Sequence, residues 1–257
     1  MPTHPAHSEP THDWPYPCWI AHRGAGALAP ENTLAAFRIG ASHGYRMFEC
    51  DAKLSADGVV FLLHDDTLER TSDGQGIAGA LPWTTLSQLD AGNWHSPAYA
   101  GEPLPTLANL AHYCQANGFW LNIEIKPTPG REALTGREVA HAAQRLWQGQ
   151  PAAMAPLLTS FQPESLAAAR LAAPELRRGL LVETLWDGWQ AAAKALGCQA
   201  LIAERSLWNA TLREKVQEMG LRALAYTVND RLQAQRLIRL RLDGIITDRV
   251  DQFLPGR

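Results

Sequence analysis

The chain has 257 residues, of which 46% are hydrophobic and 19% charged, and a formal net charge of −3 at pH 7. That much apolar sequence supplies a sizeable core and excludes global disorder, while the slight acidity argues against a protein whose main work is gripping nucleic acid. No apolar run approaches the roughly 18 residues needed to cross a bilayer, and the strand-like stretch Val59–Leu63 falls far short, so no membrane insertion is expected.

Residues 1–17, MPTHPAHSEPTHDWPYP, lack the basic-then-apolar order of a secretion signal and read as a flexible lead-in. His4, His7 and His12 are spaced to match no helical or strand face, so they read as solvated tail. Residues 18–257 read as a single domain. Cys18, Cys50, Cys114 and Cys198 form no CxxC pair and read as free thiols of a reducing compartment, with the cytoplasm as the expected address.

Short β-rich runs then alternate with Ala/Leu-rich stretches. The predicted strands are Cys18–His22, Met47–Lys53, Val59–Leu63, Trp120–Ile125, Pro156–Phe161, Gly179–Glu183, Ala200–Glu204, Ala223–Val228 and Gly244–Thr247. Between them helical periods predict Asn32–His43, Glu138–Gln148, Pro163–Ala172, Trp189–Leu196, Asn209–Met219 and Arg231–Leu240. This alternation implies an α/β fold with a parallel sheet covered by helices, and around eight βα units in this length favour a closed (β/α)8 TIM barrel. No GxGxxG follows the first strand and no GxxxxGK[ST] occurs, which removes support for nucleotide-binding readings. After the second strand, about 65–105, a run rich in Gly and Pro with Trp83 and Trp94 is too long for a simple loop and predicts a small insertion over one barrel face. Those two tryptophans suit either the substrate entrance or the core of that insertion. Arg231, Arg236, Arg239 and Arg241 read as the solvated outer face of a late helix.

The chemistry sits at strand ends. His22 and Arg23 close the first strand; Glu49 and Asp51, two apart on the second, share a face while Cys50 points away. Glu124 and Lys126 share a face by the same rule, and His64 closes Val59–Leu63. Three carboxylates aimed into one barrel mouth either raise their pKa values or surround a cation, and an all-oxygen set suits Mg2+ or Ca2+, with Mn2+ possible, better than zinc. Two imidazoles beside such a cation supply proton transfer in both directions, and Arg23 and Lys126 supply anion contacts. Together these suit a phosphodiester substrate.

The stretches IAHRGAGALAPENTLAAF, MFECDAKLSADGVVFLLHDDTLERTSDGQG, GEPLPTLANL, LNIEIKP, LLTSF, AYTVND and DGIITDRVD resemble the glycerophosphodiester phosphodiesterases, particularly the bacterial cytoplasmic type, from about Trp19 to Phe253. The resemblance implies a barrel with a small insertion and divalent-metal-dependent hydrolysis of a small glycerophosphodiester to sn-glycerol 3-phosphate and an alcohol. It implies His22 and His64 as the acid–base pair, Glu49, Asp51 and Glu124 as metal ligands, Arg23 and Lys126 as phosphate contacts, and Glu31 and Asn32 in the PENT rim motif. Ser160 and Phe161 stand where the family carries an SF pair, with core burial an equal explanation; Tyr226 stands where members often have Trp, a change that bears on recognition of the alcohol group. Ala108 and Asn109 stand where acidic residues are common, which reads as a helix-face change. The nucleophile is either water or the glycerol 2-hydroxyl, and either histidine suits either proton role. Rival readings are a related barrel phospholipase, sphingomyelinase D-like or phosphoinositide-cleaving, and a non-catalytic glycerophosphate binder that would need no acid–base pair.

Overall fold

In this computed structural model, which describes residues 14–255, the strands in chain order are β1 (Trp19–Ala21), β2 (Met47–Leu54), β3 (Val60–Leu62), β4 (Trp120–Ile125), β5 (Leu157–Ser160), β6 (Arg177–Val182), β7 (Ala200–Glu204), β8 (Arg222–Tyr226) and β9 (Gly244–Thr247). All but β3 pair in parallel, in the order β1-β9-β8-β7-β6-β5-β4-β2, and Ile20 opposite Met47 joins β1 to β2 and closes the ring. The result is an eight-stranded (β/α)8 barrel. β3 is the exception: it runs antiparallel to the upper half of β2, with Ala52 opposite Leu62. Val59–Leu63 therefore forms a hairpin at the rim and is no barrel strand, because Asp57-Gly58, with Gly58 at φ +87°, turns the chain straight back.

The helices are α1 (Leu34–Ser42), α2 (Trp83–Leu86), α3 (Leu107–Asn117), α4 (Glu132–Leu146), α5 (Pro163–Ala172), α6 (Trp189–Ala195), α7 (Ala210–Glu218) and α8 (Arg231–Arg239). α1 starts two residues later than its periodicity predicts: Thr33 is the cap, accepting from Ala36 N at 3.3 Å, while Asn32 sits outside the helix at φ +60°. α3 has no counterpart among the expected helices. Its start is a capping box in which Thr106 and Asn109 bond reciprocally, so Asn109, expected as a helix-face change, fixes the first turn. α4 starts at Glu132, six residues before the expected Glu138.

Alternation along β2 divides the interior. Met47 joins Ile20, Leu157, Leu181, Ile202, Leu224 and Ile246 inside the barrel, whereas Phe48 and Cys50 face the helical layer with Phe37, Leu121 and Ile123. The insertion has a core of its own, Phe61, Leu63, Leu68, Ala78, Leu86, Ala91 and Leu104. Trp83 lies against Phe61, with ring centroids 6.0 Å apart, and Trp94 donates to Ala91 O at 2.8 Å, so both hold the insertion together. Of the lead-in expected over 1–17, Tyr16 is instead packed into the barrel. Residues 1–13, with His4, His7 and His12, lie outside the described residues, but Tyr16 is buried with the barrel interior and its hydroxyl donates to Ala155 O at 2.8 Å. Among the described residues no helix is long and apolar enough to cross a membrane.

Phe48 is fully buried and meets Phe37 and Phe119 edge-on at 5.6 and 5.4 Å. Truncation to alanine leaves a void between β2 and its helices, so Phe48→Ala is expected to lower unfolding free energy by about 3–5 kcal/mol in denaturant titrations. A loss below about 1 kcal/mol would show that this junction is not close-packed.

Candidate active site

The acidic cluster follows from strand register. β2 and β4 are parallel neighbours with Asp51 opposite Glu124 and Glu49 opposite Asn122, so three carboxylates point into the barrel mouth from two adjacent strands. One oxygen from each of Glu49, Asp51 and Glu124 lies within 4.8 Å of the others, and all three residues are buried. Glu49 Oε1 and Asp51 Oδ1 are buried with no hydrogen-bond partner.

Two turns supply the neighbours of this cluster. Beyond β1, Arg23 adopts φ +50°, a left-handed conformation uncommon for a side chain of its size. That twist aims its backbone N–H at Glu49 Oε2, 3.0 Å away, and brings Nε to 3.2 Å from Asp51 Oδ2, an ion pair without hydrogen-bond alignment. Its Nη1 donates to Glu31 Oε1 at 2.9 Å. Asn32, also left-handed, donates from Nδ2 to Asp51 Oδ2 at 2.8 Å and accepts from Asp51 N at 3.1 Å. A Cβ on Gly26 would collide with the Asp248 backbone, so only glycine lets the two turns approach there.

Each imidazole has a carboxylate behind it. His22 Nδ1 donates to Asp248 Oδ1 at 2.6 Å, leaving Nε2 3.7 Å from Glu49 Oε2. His64 Nδ1 donates to Asp65 Oδ1 at 2.6 Å, and its Nε2 accepts from Lys126 Nζ at 2.9 Å. Both rings are thereby fixed in the tautomer that presents Nε2 to the mouth. Burial disfavours the His22 imidazolium, but the Asp248 hydrogen bond and the Glu49 charge outweigh it and raise its pKa. For His64, burial and then the Arg23 and Lys126 charges prevail over Asp51 and lower it. The two rings are thus driven apart in proton affinity.

A cleft of about 440 Å³ opens over these groups. His22, Arg23, Glu49, Glu124, Lys126 and His64 line one side; Phe161, Leu181, Tyr226 and Ile246 line the other. The SF pair divides: Ser160 is buried and donates to Ile125 O at 2.7 Å, while Phe161 meets the Tyr226 ring edge-on at 5.6 Å and lies 5.7 Å from Lys126 Nζ. Tyr226 donates its hydroxyl to Val182 O at 3.2 Å, so it presents its ring to the cleft.

All ten residues singled out in the sequence lie in or directly behind this cleft. Asp248, Asp65 and Lys53 were not singled out. Asp248 directly follows β9, a strand-end position like those of the other groups, and that signal could have found it. Lys53 shares the face of Glu49 and Asp51; its fully buried amine donates to Asp66 Oδ1 at 2.7 Å.

Crowding perturbs the carboxylates unequally. Burial, then Asp51, pushes Glu49 up to about 8, against the opposing His22 charge. Burial and Asp51 also raise Glu124. Asp51 is held below the usual carboxylate range because Arg23, His64 and Lys126 together overcome its burial. Converging carboxylates with orphaned buried oxygens and no nitrogen or sulfur ligand between them fit a hard divalent cation.

Comparison with known proteins gives a consistent picture. The sequence model of the glycerophosphoryl diester phosphodiesterase family matches residues 22–252. A glycerophosphodiester phosphodiesterase of Caldanaerobacter subterraneus subsp. tengcongensis is 32% identical over 238 residues, covering 89% of this chain and 93% of its own. The structure of an Oleispira antarctica phosphodiesterase, in complex with the product sn-glycerol-3-phosphate, is 34% identical with a TM-score of 0.83 over 90% of this chain and 93% of its own. A glycerophosphodiester phosphodiesterase from Agrobacterium tumefaciens reaches 26% identity and a TM-score of 0.77 over 94% of this chain and all of its own.

The cluster makes stability depend on pH in a definite direction. Glu49 holds its proton to a higher pH in the fold than in the unfolded chain, so the native state binds more protons between about pH 5 and pH 8. Metal-free protein is therefore expected to lose stability as pH rises through that window, and Mg2+ or Ca2+ is expected to raise Tm more at pH 8 than at pH 6. Thermal unfolding with chelator and with added cation checks both slopes; a cation effect that is flat or shrinks with pH would contradict them.

Proposed function

Because the chain belongs to the glycerophosphoryl diester phosphodiesterase family, we propose that it hydrolyses glycerophosphodiesters to sn-glycerol 3-phosphate and an alcohol, with His22 and His64 moving the protons. The observation that carries this reading is the convergence of Glu49, Asp51 and Glu124 between two imidazoles that each lean on an aspartate. The product bound to the Oleispira antarctica relative supports the same chemistry.

In this reading Glu49, Asp51 and Glu124 hold the cation. A bound Mg2+, Ca2+ or Mn2+ supplies Lewis-acid neutralisation of phosphodiester charge. Arg23 offers the phosphate a planar fork that Glu31 and Asp51 keep in place, and Lys126 offers a point charge. As Lys126 turns toward the phosphate it releases His64 Nε2, whose lone pair takes a proton from the attacking water. The new oxygen–phosphorus bond forms, the bond to the alcohol oxygen breaks, and His22, whose imidazolium the Asp248 hydrogen bond favours, gives that oxygen its proton. Phe161 and Tyr226 offer ring carbons to the apolar part of the substrate. Asn32 acts on the acidic side of the site, fixing Asp51 from two directions.

His22→Ala and His64→Ala are each expected to lower kcat on glycerophosphocholine by on the order of 10²–10⁴ while leaving Tm nearly unchanged. A near-native rate in either variant would remove that histidine from the reaction. Chelation is expected to abolish turnover, and Glu49→Gln to raise the cation concentration needed for half-maximal rate. Activity that survives exhaustive chelation would refute the metal assignment. Sphingomyelin vesicles are expected to remain uncleaved, and ligand binding without turnover under all three cations would favour a binding protein.

A further inference from the structure

The insertion begins with His64-Asp65-Asp66 and reaches Arg70 within one turn of chain. Arg70 spends its guanidinium on two carboxylates from different parts of the sequence. Nε and Nη2 donate to Asp65 Oδ2 and Oδ1 at 2.5 and 2.9 Å, and Nη1 and Nη2 donate to Glu31 Oε2 and Oε1 at 2.9 and 2.8 Å. Asp65 is the residue that fixes His64 Nδ1, and Glu31 is the residue that holds Arg23 Nη1. Charges therefore alternate along one unbroken chain: Arg23, Glu31, Arg70, Asp65, His64. Arg70 does not line the cleft, and its planar fork faces carboxylates on both sides.

We propose that Arg70 is a positioning residue, which orients the second imidazole through Asp65 and the phosphate-binding arginine through Glu31, so that one side chain of the insertion keeps these two parts of the site in register. Asp65 has no other hydrogen-bond partner among the described residues besides His64 and Arg70, so loss of Arg70 frees its carboxylate to rotate and releases the ring it holds. Arg23 loses less, because Asp51 and the Glu49 hydrogen bond to its backbone remain. The dominant effect falls on proton transfer. A purely structural role makes a different forecast: the Arg70 side chain is 44% exposed, and ion pairs of that exposure contribute little to stability.

The inference rests on the proposed role of His64, and its test separates the two. On glycerophosphocholine with saturating Mg2+, Arg70→Ala is expected to lower kcat by on the order of 10- to 100-fold, with KM shifted by less than about threefold and Tm and cation affinity unchanged. Arg70→Lys is expected to recover only part of the rate, because a point charge cannot bridge two carboxylates, and added guanidinium ion is expected to restore part of the Arg70→Ala rate. Arg70→Ala combined with Asp65→Asn is expected to be no slower than the slower single variant, since both cut one path. An active wild type with Arg70→Ala within about threefold of its kcat, or with losses that multiply in the double variant, would overturn this proposal alone. Should Arg70→Ala not fold, Arg70→Lys and Asp65→Asn carry the same comparison. Wild type inert toward glycerophosphocholine under every cation would overturn the functional reading and this one with it.

Discussion

Three carboxylates packed into the mouth of a barrel, away from bulk water, set the terms for everything around them. Two unit charges about 4 Å apart interact by roughly 4 kcal/mol at the effective dielectric of a protein surface, and by more in a drier site. Strand register imposes this crowding, because Asp51 and Glu124 are paired neighbours and Glu49 precedes Asp51 by two residues on the same face. The cations within reach are Arg23 and Lys126, and both are shared: Arg23 also serves Glu31, and Lys126 also serves His64. The imbalance appears as a proton retained on Glu49 and as oxygens with nothing to accept. A divalent cation removes both costs at once, so the geometry that is unfavourable for an empty fold is favourable for a loaded one.

The same constraint explains the strained turns. Arg23 and Asn32 both occupy left-handed conformations, and both direct polar groups at the cluster, the first to Glu49 and the second to Asp51. Such conformations cost on the order of 1–3 kcal/mol each for residues other than glycine. The cost is offset by charge-assisted hydrogen bonds that no regular helix start would provide. Asn32 is thereby kept out of α1, which begins at Leu34 behind the Thr33 cap. Local capping chemistry and the carboxylate beneath it agree on that start.

The fold was legible because alternation between periods of two and of about 3.6 residues survives along most of the chain. Strand faces were legible for the same reason, and so Glu49, Asp51, Glu124 and Lys126 could be placed on one side before any coordinates. What escaped was contact across the closure of the barrel. Asp248 lies 226 positions from His22 in sequence, yet the β1–β9 pairing sets them side by side, and no local pattern encodes a ring closing on itself. Val59–Leu63 was legible as a strand, but its place was not: only the antiparallel pairing with β2 shows that it is a flap outside the barrel. The extent of α3 went unread although Leu107, Leu110, Ala111 and Cys114 keep a helical period and Ala108 and Asn109 read as a helix face; its capping box uses Asn109 in place of the usual Glu or Gln, which hides its start.

The acidic cluster and the aromatic rings come from different parts of the ring. β1, β2, β4 and the residue after β9 bring the clustered carboxylates, the cations and His22, whereas β5, β6 and β8 and the residues just after them bring Phe161, Leu181 and Tyr226 together with Glu183 and Thr227. The second histidine comes from neither group of strands but from the end of the β3 flap, where Lys53 beneath Asp66 and Arg70 beside Asp65 bind the flap to the barrel. The backbone ladder of β3 on β2 runs up to Leu63, whose N–H donates to Asp51 O at 3.0 Å, and beyond it the ion pairs made by the insertion's first residues hold the imidazole. The insertion core of Phe61, Leu68 and Leu86 then acts as ballast that keeps those residues from fraying. No hydrogen bond of the acidic cluster passes through Phe161, Leu181 or Tyr226, so the geometry of the carboxylates is set independently of the rings across the cleft.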